Sequence, residues 1–336
     1  MDDPNPQITG METENSLPSP IVSGGPGSSS PRPSALERVF RGPNGIRAGW
    51  RLLIYLVIAT IVVVVLSPVA RALGLRPENG LGPRSALLGE GLPFFALLLA
   101  AAVMARIEKR SFREYGLPGR GAFGARFWLG VVWGFIALTA LLLLIRADHG
   151  FAFGSLALHG RPLAYYAAVW GLAFLLVGFF EEFLMRGYAL FTLSTGMRFW
   201  PSAFLLSALF GAGHLGNRGE SWIGAAAAAL IGLFFCFTVR RTGTLWFAVG
   251  MHAMWDYSES FIYSVPDSGA MVTGHLLNSS FHGPDWLTGG SVGPEGSWLV
   301  FAVIAALFVI FDRLYREVRF PAPPGVGSET LVATNN

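Results

Sequence analysis

The stretch at residues 178–186, GFFEEFLMR, decides the fold, because it places three charges directly after a long apolar run. Residues 163–180 carry no charge, and Glu181, Glu182 and Arg186 then follow in quick succession. A carboxylate or guanidinium at the centre of a membrane helix costs roughly 2.5–3.5 kcal/mol. Three such charges are tolerated where they pair with one another or face a polar cavity. The stretch therefore predicts a membrane helix that leads into a polar site.

Helical spacing separates the roles of the two glutamates. Glu182 and Arg186 are four residues apart and share a helix face, so we predict that they form an ion pair. Glu181 lies about 100° round the helix and is not neutralised by that pair. A carboxylate of this kind within a membrane protein is a candidate functional residue. This stretch alone leaves one alternative open, a simple salt bridge that closes the cytoplasmic end of a helix.

Composition places the chain in a membrane. Of the 336 residues, 52% are hydrophobic and only 13% are charged, and the mean hydropathy is +0.50. These values are typical of a polytopic membrane protein and exclude a soluble domain with a large core. Cys236 is the only cysteine, so an intramolecular disulfide is excluded. We expect membrane lipid as a partner and no nucleic acid.

The apolar pattern predicts an all-α, polytopic bundle of about eight transmembrane helices. Most of the apolar runs approach the roughly 20 residues that a bilayer requires. The fifth and sixth runs are short and rich in glycine, so their ends are the least well defined. The predicted spans are residues 50–73, 86–105, 127–145, 163–190, 200–215, 222–239, 245–263 and 298–315.

The distribution of arginine and lysine predicts the orientation. With the N-terminus inside, the cytoplasmic segments hold 17 of these residues and the outer segments hold 6. The long loop at residues 264–297 has none, and Arg186 is the only one left that is assigned to neither side. This distribution agrees with the positive-inside rule, and an even number of spans puts both termini in the cytoplasm. We expect an integral multi-pass protein of a bacterial inner membrane.

Two tails are predicted to flank the membrane domain. Residues 1–48 form a cytoplasmic N-terminal tail, residues 49–316 the membrane-embedded domain with its motifs at 163–263, and residues 317–336 a cytoplasmic C-terminal tail. Residues 1 to about 35 are rich in Pro, Ser and Gly and lack apolar periodicity, so we expect them to be disordered. Its acidic start has no hydrophobic region, so we expect no cleavable signal peptide.

Few other strongly polar side chains fall within the predicted spans. His214 lies four residues after Phe210, and His252 lies four residues before Asp256, so each pair shares a helix face. Taken alone, His214 is better explained as a polar group that is hydrogen-bonded to a neighbouring helix. His252 with Asp256 is likewise explained as a pair that holds two helices together. Together with Glu181, however, they are the groups needed to activate a water and to stabilise an oxyanion.

Three motifs in this order resemble those of the CPBP intramembrane proteases, relatives of the type II CAAX prenyl endopeptidase that include bacteriocin-processing and Abi immunity proteins. The motifs are Glu181-Glu182-x-x-x-Arg186, Phe210-x-x-x-His214 and His252-x-x-x-Asp256. The resemblance covers about a third of the chain. It implies an eight-helix bundle around a conical cavity open to the cytoplasmic side. It also implies endoproteolysis of a peptide or lipidated peptide within the membrane.

The resemblance further implies a catalytic role for four residues. Glu181 with His214 would hold and deprotonate the water that attacks the scissile carbonyl, and His252 with Asp256 would stabilise the oxyanion. Many members of the family have Asn where this chain has Asp256. Because an ionised Asp has only acceptors, Asp256 would either donate as a protonated carboxyl or accept from His252 and fix its tautomer. We favour the protonated donor.

The remaining motif residues are expected to support the site. Glu182 and Arg186 would lock the helix so that its free carboxylate points into the cavity, and Phe210 would support the site from the helix face that it shares with His214. A metal is left open: zinc would suit two histidines with carboxylates, and its ligands would be His214, His252, Glu181 and Asp256. We favour a mechanism without metal or cofactor, since the sequence has no HExxH pair.

Two other functions remain open from the residues. One is a non-catalytic scaffold that binds a lipidated or membrane partner, and the other is a proton-coupled transporter that uses the same polar side chains as a relay. The sequence does not identify the peptide or lipidated protein substrate, and it predicts no oligomeric state.

Overall fold

The computed structural model describes residues 34–42, 45–74, 82–217 and 219–321, and these residues form an all-helical bundle, as predicted. Two short antiparallel ladders accompany the helices, β1 (Arg41–Gly42) with β2 (Gly45–Ile46), and β3 (Phe151–Ala152) with β4 (Ser280–Phe281). The α-helices are α1 (Ala35–Phe40), α2 (Ala48–Ala72), α3 (Pro83–Glu108), α4 (Ala125–Ala147), α5 (Gly160–Leu184), α6 (Leu190–Met197), α7 (Phe199–His214), α8 (Trp222–Thr242), α9 (Trp246–Asp256), α10 (Asp285–Thr288) and α11 (Leu299–Leu314).

Within the described ranges, five helices are long and apolar enough to cross a membrane. They are α2, α3, α4, α8 and the continuous helix Gly160–Met197 that joins α5 to α6. Helices α7 and α11 have 16 residues each and α9 has 11, so these three occupy predicted spans without reaching that length. The chain is an integral membrane protein, and the count of eight spans stays a prediction.

Helix α9 lies at the centre of the bundle, and Met254 is its only residue that is not buried. It packs closely against α4, where a Cβ on Gly130 would lie 2.2 Å and one on Gly134 would lie 2.3 Å from a backbone oxygen of α9. Gly250 of α9 meets the backbone of α4 in the same way. Small residues let two membrane helices approach this closely. The contact therefore fixes α9, which carries the third motif, against its neighbours.

The two ends of the bundle differ in charge. At the arginine-rich end, Arg51 pairs with Glu108 at 3.0 Å, and Arg126 donates to the backbone oxygen of Thr242 at 2.8 Å. At the opposite end, which we call the loop end, residues 263–298 connect α9 to α11 and contain β4 and α10. These residues include no arginine or lysine.

Part of the predicted N-terminal tail is folded. Helix α1 begins with a capping box, in which Ser34 and Glu37 satisfy each other's backbone N–H groups. The β1–β2 ladder follows and leads into α2. Disorder is predicted for residues 1 to about 35, so these elements begin where that stretch ends. The rest of that prediction, at residues 1–33, lies outside the described residues, as does the predicted C-terminal tail from residue 322 onward.

Candidate active site

A cavity of about 320 Å³ lies between α3, α5, α7, α8, α9 and α11, toward the loop end. Its wall contains the four side chains that the sequence singled out for catalysis, together with the aromatic residue of the second motif. These are Glu181, His214, His252, Asp256 and Phe210. Three helices that are separate along the chain thus bring polar side chains to one place in an apolar bundle.

The ion pair expected from helical spacing is present. Arg186 Nη1 lies 3.1 Å from Glu182 Oε1, and both side chains are 0% exposed. The guanidinium carbon of Arg186 also lies 4.4 Å from the ring centroid of Phe210 and 5.7 Å from that of Phe235. The Nε and Nη2 atoms of Arg186 have no hydrogen-bond partner. One carboxylate and two aromatic rings therefore hold a fully buried cation.

The helical geometry changes at the end of the first motif and directly after the third. Residues Met185–Ala189 are π-helical, and Gly187 has φ −80° and ψ −121°, outside the helical region. A Cβ on Gly187 would lie 2.6 Å from the ring of Phe183, so the close approach favours glycine. A second π-helical segment, Tyr257–Ile262, follows α9. Such segments change the direction of side chains and often occur at functional sites.

His252 is oriented by Glu182. Its Nδ1 lies 2.9 Å from Glu182 Oε1, and because a carboxylate only accepts, Nδ1 carries the proton. The ring also stacks on Phe235, with centroids 5.4 Å apart. The Nε2 atom faces the cavity, 3.6 Å from Glu181 Oε2 and 3.5 Å from Asp256 Oδ2. The outward nitrogen thus lies between two carboxyl groups, and the inward one is held by a third.

The contact between His252 and Glu182 bears on the two roles that the sequence left open for Asp256, a protonated donor to the oxyanion or an acceptor that fixes the tautomer of His252. The position that fixes the tautomer of His252 is occupied by Glu182, at Nδ1, while Asp256 stands on the opposite side of the ring, at Nε2. Sequence reasoning gave Glu182 only the ion pair with Arg186. It missed the second contact because the two residues are 70 positions apart and lie on different helices.

His214 ends α7 and is tied to its own helix. Its Nδ1 lies 2.8 Å from the backbone oxygen of Phe210, and because a carbonyl only accepts, Nδ1 carries the proton. In the neutral ring Nε2 is therefore an acceptor. His214 and Glu181 both line the cavity, and no ion pair joins them. Nε2 of His214 is thus available to accept a hydrogen bond in the cavity that Glu181 also lines.

Glu90 is a cavity residue that sequence reasoning missed. It lies on α3 and lines the same cavity, and its Oε2 atom is buried without a hydrogen-bond partner. The signal was present, since Glu90 is the only charge in the predicted span at residues 86–105. A carboxylate within an apolar span is a candidate functional residue by the same argument that identified Glu181.

Two carboxylates of the loop end also line the cavity without having been predicted, Asp267 and Glu295. Burial and the neighbouring Glu295 raise the pKa of Asp267 to about 8. Glu295 accepts at 3.1 Å from the ring nitrogen of Trp255, next to the third motif. No sequence signal marked these residues, because the irregular segment that carries them has no periodicity from which to place its side chains.

The ligand set predicted for a metal does not converge in this structure. The distances of 3.5 and 3.6 Å from His252 Nε2 to Asp256 and Glu181 are close to the roughly 3.4 Å that separates two ligands of a tetrahedral zinc. The ligand atoms of Glu181, His252 and Asp256 do not all lie within 4.8 Å of one another, however, and His214 does not complete such a group. Among the described residues, three acidic or histidine ligand atoms gather within 4.8 Å of one another at a single place, formed by Glu259, Asp267 and Glu295. We therefore derive no catalytic step through zinc.

Comparison with known proteins finds one match. Residues 163–258 match the family described as type II CAAX prenyl endopeptidase Rce1-like. No curated protein and no solved structure matches the chain. The matched segment contains all three motifs, so the resemblance drawn from them is confirmed over these residues. The family is one of proteases, which are hydrolases.

Proposed function

We propose that this protein is an intramembrane endopeptidase, which hydrolyses a peptide bond of a membrane-associated or lipidated peptide with a water activated by Glu181. The observation that carries the proposal is the convergence of Glu181, His214, His252 and Asp256 on one cavity. A peptide bond inside a membrane must have its hydrogen bonds satisfied away from bulk water. The cavity supplies polar groups for that purpose, and the proposal needs no cofactor.

The attacking water lies between Glu181 and His214 in this mechanism. The side chain of Glu181 is 27% exposed, so its carboxylate reaches the cavity while the neighbouring Glu182 is fully buried. Nε2 of His214 accepts a hydrogen bond from one O–H of the water, and Glu181 takes the proton of the other O–H as general base. The resulting hydroxide attacks the scissile carbonyl, and Glu181 later returns its proton to the leaving amine.

The oxyanion is stabilised on the opposite side, at His252 and Asp256. Nδ1 of His252 is committed to Glu182, so the ring can donate to an oxyanion only from Nε2 and only as an imidazolium. Asp256 lies next to Nε2 and donates as a protonated carboxyl, in the position where many relatives have an amide. The two donors together replace the water that would stabilise this charge in solution.

The variant Asp256→Asn should retain activity within about tenfold of the wild type, because an amide donates to an oxyanion as a protonated carboxyl does. Since the orientation of His252 depends on Glu182, the change leaves the tautomer of that ring intact. Any fall in activity that the ionisation of Asp256 imposes at high pH should disappear. The measurement is the pH profile of kcat for both proteins, and a severe loss with the fold intact would refute the donor role.

We place the protein in a bacterial inner membrane with eight spans and with both termini in the cytoplasm. The arginine-rich end then faces the cytoplasm, in agreement with the positive-inside rule. The cavity lies toward the loop end, so in this orientation it faces the outer side of the membrane. The resemblance implied a cavity open to the cytoplasm, and the charge distribution of this chain favours the opposite side. The substrate segment would accordingly enter from outside.

The proposal is tested by incubating the purified protein with a library of membrane peptides and identifying products by mass spectrometry. The wild type should yield defined cleavage products that are absent with Glu181→Ala. Transport in vesicles without any product would favour the proton-coupled transporter. Binding of a lipidated partner that is unaffected by Glu181→Ala, again without product, would favour the scaffold.

A further inference from the structure

Three carboxylates meet at the loop end of the bundle. Glu259 lies on the π-helical segment after α9, Asp267 lies in the following loop, and Glu295 lies on the short 3₁₀ turn Pro294–Gly296. One carboxylate oxygen from each lies within 4.8 Å of the other two. The cluster shares no residue with the proposed protease machinery, although Asp267 and Glu295 also line the cavity.

Glu259 has no partner of its own in this cluster. Its side chain is 0% exposed, and neither of its carboxylate oxygens has a hydrogen-bond partner. The nearby ring nitrogen of Trp255 donates to Glu295 instead, at 3.1 Å. A fully buried carboxylate without a donor is costly. A cation shared with Asp267 and Glu295 would satisfy it.

The other two carboxylates are held in place by donors. Ser260 Oγ donates to Asp267 Oδ2 at 3.0 Å, and Ser268 Oγ donates to Glu295 Oε2 at 2.9 Å. Hydrogen bonds of this kind orient the ligands of a metal and are common around metal sites. Residues 263–298 contain no arginine or lysine that could neutralise the cluster.

We propose that Glu259, Asp267 and Glu295 form a binding site for a hard divalent cation of the Ca²⁺ class. All three ligands are carboxylate oxygens, which Ca²⁺ prefers and which zinc sites seldom use alone. Two oxygens on opposite sides of a Ca²⁺ ion are separated by roughly 4.6–5.2 Å, twice the metal–oxygen distance. The 4.8 Å span of the cluster fits within that limit.

The site would attach the loop end to the central helix. Glu259 continues α9, whereas Asp267 and Glu295 belong to the long connection to α11, so a bound ion joins the two. Since that connection forms one side of the cavity, the ion fixes the wall beside the third motif. In the orientation proposed above the site faces outward, where extracellular modules bind Ca²⁺ with Kd values of about 10⁻⁴–10⁻³ M.

The test uses the full-length protein in detergent, stripped with EDTA, and two probes. Bound Tb³⁺ should show luminescence sensitised by the nearby Trp255, and added Ca²⁺ should displace the Tb³⁺ and remove that luminescence. Ca²⁺ should also raise the Tm. The variant Glu259→Gln should weaken Ca²⁺ displacement by at least about tenfold, since it loses one of three charged ligands. Without Ca²⁺, its Tm should equal or exceed that of the wild type, because the like charges are fewer.

The matched control is Asp285→Asn, which removes one charge from an exposed position of the same connection, outside the cluster. It should bind Tb³⁺ and respond to Ca²⁺ as the wild type does. If Glu259→Gln does not fold, Asp267→Asn carries the same test at a less buried ligand. Wild-type protein that shows neither the luminescence nor the Tm shift would overturn the proposal, as would a response that persists in the ligand variants.

Discussion

The variant Glu181→Gln should lose at least about 100-fold in turnover while it folds and inserts as the wild type does. The amide keeps the size of the carboxylate and most of its hydrogen bonding, but it cannot accept a proton from water. Because the side chain is 27% exposed to the cavity and belongs to no fixed ion pair with Arg186, its replacement should leave the stability of the bundle nearly unchanged. The measurement is kcat on a cleaved peptide, with Tm recorded in parallel.

Glu90→Gln is the matched comparison for this prediction. Glu90 lines the same cavity from α3, and the change has the same size and charge, but the proposed mechanism assigns Glu90 no proton transfer. Its turnover should fall by less than about tenfold. Equal losses in the two variants would mean that Glu181 is not the specific base, and near wild-type turnover in Glu181→Gln would remove it from the mechanism.

The features that the sequence predicted correctly are those encoded over one or two helical turns. The ion pair between Glu182 and Arg186 follows from a spacing of four residues, which places both side chains on one face whatever surrounds them. The apolar runs likewise predicted where the helices lie. Both inferences depend on local periodicity, and neither requires knowledge of how the helices pack.

The features that could not be predicted from the sequence depend on packing between segments that are distant along the chain. Glu182 orients His252 across 70 positions, and no spacing rule connects two helices that meet only in the folded chain. Helix α9 has 11 residues because the helix changes to π geometry at Tyr257, and the apolar pattern does not predict that change. The cluster around Glu259 joins a helix end to an irregular loop, for which the sequence offers no periodicity.

Glu182→Gln and Arg186→Met should each destabilise the protein strongly. Each change removes one partner of an ion pair whose two side chains are 0% exposed, and breaking a buried pair costs roughly 3–5 kcal/mol. The loss should be smaller for Arg186→Met within that range, because the carboxylate it leaves behind still accepts from His252 Nδ1. Thermal or denaturant unfolding in detergent measures both effects.

The double variant Glu182→Gln/Arg186→Met separates the structural role of the pair from its role in catalysis. Removing both charges leaves no unpaired ion, so stability should return close to that of the wild type. Turnover should not return with it, because a neutral amide at Nδ1 cannot stabilise the His252 imidazolium that donates from Nε2 to the oxyanion. A loss of about 10⁴-fold is the scale seen when the carboxylate that orients a catalytic histidine becomes an amide in serine proteases.

Comparison of stability and turnover in the three variants decides between the roles. A double variant that is both stable and active would show that Glu182 serves only Arg186 and that His252 needs no carboxylate at Nδ1. An Arg186→Met protein that is fully stable but inactive would mean instead that the guanidinium contacts substrate, despite its burial against Phe210 and Phe235. A double variant that is stable and inactive establishes that Glu182, besides pairing with Arg186, is required at Nδ1 of His252 for catalysis.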